Sequence, residues 1–346
     1  MEKLKFAVLG TGFWSQFQVG AWSEIPEVEL VALYNRTKAK AEALAERFHV
    51  KNVYDHAAEL FAKEKLDFVD IITDVDTHFK FVEMAVDAGI KHIICQKPMA
   101  PDWETAGKMV EKCRQKGTSL YIHENYRWQA PVRHFKEIMD SGIIGKPFKA
   151  RVSFLSGFPV FDNQPFLKEL PHFILTDMGS HVLDICRYLF GEANKLWCQT
   201  RSVNPGIKGE DVAVVMMEMV NGMPLYTEMS YASVVEHDMF STVNILVEGE
   251  KGSIALGPGS SFEIRTTTAH GTKLEKVEFP SYDWADPDYI VNHESGIHIN
   301  RNILNDMIQK SKAENTGKDN LETVRLVWAS YESAKRGELI WLKDFE

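Results

Sequence analysis

Three stretches of this sequence combine residue types and spacings that suit proton transfer or anion binding. The first is Gln96-Lys97-Pro98, directly after the apolar run His92 to Cys95. Open α/β sheets bind ligands at the carboxyl ends of their strands. The Lys97 amine is therefore either a surface charge or a general acid/base, and Pro98 fixes the turn geometry in both cases. The second stretch holds Asp177, His181 and Asp184, whose spacings of four and three place them on one face of a helix. Its neighbours Met178, Val182, Leu183, Ile185, Cys186 and Leu189 are apolar, so most of that helix is interior. Buried charges need a partner or a function. One reading is an Asp–His–Asp cluster that satisfies itself. The other is a histidine whose imidazolium two carboxylates favour, exchanging a proton with a hydroxyl.

The third stretch is Gly10-Thr11-Gly12-Phe13-Trp14-Ser15, after a short apolar run and before a helix-like segment. That is the context of a dinucleotide fingerprint: the first glycine permits a tight turn, and the second lets backbone approach a pyrophosphate at the helix N-terminus. Ser15 stands at the third glycine position, so helix–strand packing has to tolerate a hydroxymethyl. At the end of the second strand, an acid would favour NAD and an arginine the 2′-phosphate of NADP. The chain has Asn35-Arg36-Thr37 there. Asn35 can accept a ribose hydroxyl proton, and Arg36 can stack on adenine, meet a phosphate, or simply be solvated. His123-Glu124-Asn125-Tyr126-Arg127-Trp128 is rich in hydrogen-bonding and stacking groups. It reads as a polyol or sugar contact through Arg127 and Trp128, or as a hinge held by aromatic packing. His270, His293 and His298 lie in polar segments and read as surface histidines; His134 and the Met-rich 216–219 read as packing.

Positioning these groups falls to alternating elements. Strands are expected at 4–9, 28–34, 67–73, 92–95 and 118–122. Helices are expected between them: to about residue 24, at 38–48, at 77–88 closed by Gly89, and one through Lys116 ended by Gly117. This alternation predicts a parallel, doubly wound sheet, and its apolar runs suit strands covered on both faces. The pattern then changes. A helix near 130–140, a strand at 147–156 and a Phe/Pro-rich loop at 157–172 precede a helix from Thr176 to Phe190. From 196 to 279 short alternating strands, punctuated by Asn221-Gly222, Glu248-Gly249-Glu250 and Gly257-Pro258-Gly259, predict a largely antiparallel sheet. Two helices, about 297–311 and 319–336, end the chain. The fold class is thus α/β. A Rossmann domain, 1–125, precedes a second α/β domain, 126–346, with a large, mostly antiparallel open sheet; the last helices pack back on the first domain.

The chain's 346 residues suit two domains. A formal charge of −10 argues against nucleic-acid or anionic-membrane binding, which needs a basic face. Apolar residues make up 45% and charged ones 25%, an ordinary globular balance with no bilayer-length apolar run. The four cysteines, Cys95, Cys113, Cys186 and Cys198, show no C-x-x-C and no zinc spacing. A reducing, cytoplasmic setting and no metal site are expected.

Taken together, Gly10-Thr11-Gly12-Phe13-Trp14, Lys97-Pro98, Tyr126-Arg127 and Asp177-x-Gly179-x-His181-x-x-Asp184 resemble the Gfo/Idh/MocA family over almost the whole chain. The resemblance implies hydride transfer between a sugar or polyol carbon and nicotinamide, with NAD or NADP as cofactor and an inclination to NAD. It implies cofactor contacts from Gly10, Gly12, Phe13, Trp14, Asn35, Arg36, Thr73, Asp74, His78, Gln96 and Lys97. It implies substrate contacts from Lys97, Tyr126, Arg127, Trp128, Asp177 and His181, with Lys97, His181 and Asp177 managing the hydroxyl proton. It further implies a homodimer or homotetramer. Three positions depart from the family pattern: Gln96 replaces a usual Glu, Asn35 a frequent Asp, and Thr73-Asp74-Val75 a common Thr-Pro-Asn. Tyr34 to Thr37 and His123 to Trp128 are similar to a subgroup that includes D-apiose dehydrogenase, which would make the reaction an aldose-to-lactone oxidation. Two other classes remain open at this point, a glycosidase that recycles its NAD and a non-catalytic sugar or dinucleotide sensor. The paired Lys97 and His181 weigh against the sensor.

Overall fold

The structure is a computed structural model that describes residues 2–236, 240, 243–257, 262–286 and 289–345. The expected turn at Gly257-Pro258-Gly259 therefore lies, beyond Gly257, outside the described residues. The chain divides into two compact units.

The first unit comprises Met1–Glu124, Tyr282–Asp286 and His293–Val324. Its elements are β1 (Leu4–Leu9), α1 (Ser15–Ser23), β2 (Val28–Tyr34), α2 (Lys38–Phe48), β3 (Asn52–Tyr54), α3 (Ala57–Lys63), β4 (Phe68–Ile71), α4 (His78–Asp87), β5 (His92–Gln96), α5 (Trp103–Lys116) and β6 (Ser119–His123). The six strands run parallel in the order β3-β2-β1-β4-β5-β6, the doubly wound arrangement that the alternation predicts. Two short elements, β3 and α3, were not expected, because three residues of strand and seven of helix carry too little periodicity to register. Helix α5 shows its punctuation plainly. The Asp102 carboxylate accepts from Thr105 N–H at 2.7 Å, and Gly117 ends the helix at φ 64°, where a β-carbon is disfavoured.

The sequence-based division at 125/126 differs from this unit in residues 282–286 and 293–324. A physical reason is visible on each segment. Trp284 lies over α1, where a β-carbon at Gly20 would stand 2.4 Å from its ring, and its indole N–H donates to Glu24 at 2.8 Å. Ile122 N–H, on the edge strand β6, donates to Asn315 O at 2.9 Å, and Tyr121 forms a bridge with Thr316.

The second unit comprises Asn125–Ser281, Pro287–Asn292 and Arg325–Glu346. It holds α6 (Ala130–Asp140), β7 (Pro147–Leu155), α7 (Val160–Asn163), α8 (Ser180–Phe190), β8 (Ala193–Arg201), β9 (Val212–Met219), β10 (Pro224–Ser230), β11 (Asn244–Gly249), β12 (Gly252–Leu256), β13 (Glu263–Thr268), β14 (Gly271–Lys276) and, after the terminal helices, β15 (Ile340–Trp341). These nine strands order as β14-β13-β12-β11-β7-β10-β9-β8-β15, antiparallel except where β7 meets β10. The core lies between one sheet face and α8, where Val182, Leu183, Ile185 and Cys186 join Val152, Phe154, Val215 and Met229. On β9 the alternation puts Met217 and Met219 inside and leaves Met216 54% exposed, so the Met-rich stretch is only partly packing.

The terminal helices are α9 (Ile290–Met307) and α10 (Gly317–Arg336). Helix α9 begins seven residues before the expected 297, because Asn292, His293, Glu294 and Ser295 are all buried. His293 is thus not a surface histidine. Its ring stacks on Phe17 at 4.1 Å, its Nδ1 accepts from Asp286 N–H, and burial pulls its pKa down to about 4. Among the described residues no helix is long and apolar enough to cross a membrane.

Candidate functional site

In the first unit the candidate cofactor residues gather at the carboxyl ends of β1, β2, β4 and β5. Gly10 has φ +101°, and a β-carbon there would sit 2.4 Å from Ile72 O, so the protein's own backbone demands glycine. Gly12 is different. A β-carbon at Gly12 meets no protein atom within 4 Å, so nothing in the chain requires its bareness. The loop then enters α1 with no side chain capping its first amides. A bare glycine ahead of a helix start without a side-chain cap suits a pyrophosphate, and the residues present fit a dinucleotide. Ser15, in place of a third glycine, is accommodated because its hydroxyl donates to Gly12 O at 2.6 Å.

This contrast predicts that Gly12→Ala leaves the unfolding midpoint near wild type while weakening NADH binding about tenfold or more, as close backbone approach requires. Gly10→Ala loses stability outright. Thermal unfolding with NADH titration checks both; unchanged NADH affinity in Gly12→Ala would remove the loop from the cofactor site.

Asn35 donates from Nδ2 to Thr11 Oγ1 at 2.7 Å and accepts Thr37 N–H on Oδ1 at 2.8 Å. An amide oxygen has two lone pairs, so acceptor capacity remains at this edge. Arg36 and Asp74, both exposed, pair at 3.6 Å. Phe13 and Trp14 pack edge to face at 5.5 Å beside Phe17. Thr73 accepts from the Thr77 hydroxyl at 2.8 Å. His78 departs from its expected role at the cofactor. It is 1% exposed, and its ring ties two loops, Nδ1 facing Pro98 O at 3.1 Å and Nε2 facing Thr73 O at 3.0 Å. It therefore holds the Lys97-Pro98 turn, whose peptide bond is cis. Gln96 Oε1 accepts Lys97 N–H at 2.7 Å, and Gln96 Nε2 donates to Gln18 Oε1 at 2.8 Å.

In the second unit the expected helix from Thr176 begins differently. Residues Leu175–Gly179 form a wider π turn, and α8 starts only at Ser180. Such turns redirect side chains and recur at functional sites. Asp177 sits on that turn, and His181 and Asp184 follow on α8. The Asp177 carboxylate accepts from the Tyr231 hydroxyl at 3.2 Å. The His181 ring stacks on Tyr126 at 3.7 Å and 11°. Asp184, fully buried, accepts from both arms of Arg127, with Nε–Oδ2 at 2.6 Å. Arg127 and Trp128, expected as sugar contacts or as a hinge, both lie in the interior of the second unit. Arg127 is 5% exposed and its guanidinium fork is engaged by Asp184, while Trp128 is 7% exposed beneath the Arg133 guanidinium at 4.3 Å. The turn Tyr126–Trp128 thus grips α8 and sets His181.

Three residues that the sequence reading did not single out support these groups. Tyr231 orients Asp177; burial, and then the Asp177 charge, push its phenol well above its usual pKa. Glu210 accepts from Phe173 N–H at 3.2 Å, Leu175 N–H at 3.3 Å and the Tyr331 hydroxyl at 2.6 Å, anchoring the π turn's start. Asp70, inside β4, accepts from Gln18 and Trp22, and burial lifts its carboxyl to about 7. A signal for Asp70 was present: an acid between Val69 and Ile71 in an apolar run.

Residues 4–124 match the family model for the oxidoreductase family with an NAD-binding Rossmann fold, and residues 132–255 match that for the GFO/IDH/MocA C-terminal domain. The chain is 36% identical to D-apiose dehydrogenase of Rhizobium rhizogenes, over 98% of each chain. It is also 36% identical to D-apiose dehydrogenase of Paraburkholderia graminis, over 100% of this chain and 92% of that one. An oxidoreductase from Agrobacterium radiobacter, solved with NAD+, L-tartaric acid and magnesium, superposes with a TM-score of 0.95 at 35% identity, covering 99% of both chains. Two family models that together span most of the chain, and a relative 36% identical over its length, place it: the chain belongs to the GFO/IDH/MocA oxidoreductase family, with an NAD-binding Rossmann domain.

Proposed function

We propose that this NAD-dependent sugar dehydrogenase oxidises the anomeric carbon of an aldose to a lactone, with D-apiose as the first substrate to try. The observation that carries this reading is the polar group on residues 175–190. Asp177, on the π turn, is turned by Tyr231, and His181, four residues later at the start of α8, is held flat against Tyr126. The 36% identity to two D-apiose dehydrogenases over nearly the full chain supports the substrate class.

Gly10, Gly12, Asn35, Arg36, Asp74 and Gln96 are the residues proposed to hold NAD. Bound NAD supplies the hydride acceptor. His181 or Lys97 removes the hydroxyl proton, Asp177 accepts a sugar hydroxyl hydrogen bond, and Tyr126 fixes the imidazole plane. The four cysteines are free and buried, and burial pushes the Cys113 and Cys198 thiols up to about 11 and 12, so they serve as packing; the cytoplasmic setting is proposed on the absence of disulfide or zinc spacing in the sequence. One registered row across the open sheet face, Trp197, Met216, Tyr226 and Leu246 with Arg151 among them, supports a homodimer or homotetramer.

Purified protein incubated with NAD and a panel of aldoses, D-apiose and inositols tests the reading through the absorbance of reduced nicotinamide. NADH accumulating in step with lactone is the expected result. No reduction with any sugar overturns it, as does sugar turnover without net NADH.

A further inference from the structure

A chain of hydrogen bonds runs from the interior of the first unit to the backbone of the candidate proton-transfer lysine. It starts at Asp70, 0% exposed in β4. Both carboxylate oxygens accept from Gln18 Nε2 at 2.7 Å, and one also accepts from Trp22 Nε1 at 2.9 Å. Asp70 accepts from both neighbours here, so Gln18 presents its amide nitrogen inward and its oxygen outward. That oxygen accepts from Gln96 Nε2 at 2.8 Å, which leaves Gln96 Oε1 to accept Lys97 N–H at 2.7 Å. Each bond direction dictates the next. A carboxylate at position 96 would set oxygen against oxygen at Gln18, which explains the neutral amide before Lys97.

We infer that Asp70 is a positioning residue for the Lys97 turn, acting through Gln18 and Gln96, and that it dictates an amide at position 96. The consequence for Lys97 rests on the proposed function; the order of donors and acceptors does not. With Asp70→Asn, the new amide can donate to Gln18, whose own amide reverses and offers nitrogen to position 96. A glutamine there must then turn a nitrogen toward either Gln18 or Lys97 N–H, so one donor faces another. A glutamate would satisfy both. The two substitutions are therefore each unfavourable alone and compatible together.

Four proteins test this: wild type, Asp70→Asn, Gln96→Glu and the double variant. Each single substitution should lower the thermal unfolding midpoint by several degrees, and the double variant should recover most of that loss. With an aldose substrate, each single variant should lose about tenfold in kcat, with KM little changed, because an unsatisfied buried group displaces the Lys97 turn. The kcat of the double variant should exceed that of both singles. Additive losses in the midpoint, or single variants that match wild type, overturn the inference. Should a single variant fail to fold, the double variant decides: folding supports the chain, and failure to fold overturns it. A wild type that oxidises no aldose sinks the proposed function, while the unfolding cycle still tests the relay.

Discussion

Replacing His181 with alanine is expected to lower turnover by about 10²–10⁴-fold, the usual contribution of a positioned general base. The imidazole is 3% exposed and stacked on Tyr126 at 3.7 Å, so its ring plane is fixed before any sugar arrives. Alanine also removes that packing, which by itself costs stability. His181→Phe separates the two effects, because a phenyl ring keeps the stack and exchanges no proton. Both variants should bind NADH as wild type does and lose turnover together. Steady-state kinetics beside NADH titration decide it, and full turnover in either variant would remove His181 from the mechanism.

The second large effect falls on stability. Arg127 and Asp184 meet bidentately with the guanidinium 5% exposed and the carboxylate fully buried. Removing one partner of such a pair leaves an uncompensated interior charge, which costs about 3–5 kcal/mol. Arg127→Met should therefore shift the urea midpoint strongly, since the methionine fills much of the volume but removes the bidentate partner of Asp184, leaving Arg187 farther off at 4.0 Å. Arg127→Met combined with Asp184→Leu, an apolar pair of similar size, should recover much of the loss. A change below about 1 kcal/mol in Arg127→Met would show that the pair behaves like a surface bridge.

The parallel sheet was legible because its strands are apolar runs between glycines, and the glycine loop was legible because its context is local. Other features were hidden for physical reasons. Residue letters report spacing but not turn width, so the π turn at Leu175–Gly179 looked like ordinary helix, and the partners Tyr231, Tyr126 and Arg127 of its three polar side chains were not visible. The same letters did not reveal that Tyr126-Arg127 and His181…Asp184 are two sides of one grip. His293 read as a surface histidine because its neighbours are polar, yet it and those neighbours, Asn292, Glu294 and Ser295, are interior. Asp70 passed as part of an apolar strand, although an acid there is unfavourable without Gln18 and Trp22 to receive it.

The ends of the two sheets carry a consequence for handling the protein. The first sheet stops at three-residue β3 on one side and, on the other, at β6, whose Ile122 N–H is already taken by Asn315. The larger sheet stops at two-residue β15 and at Gly271–Lys276, an exposed strand that carries Lys273 and Lys276. Among the described residues a stray segment from a neighbouring molecule meets a two- or three-residue edge, an edge already bonded, or one that carries lysines. Concentrated solutions should therefore resist fibril-like growth.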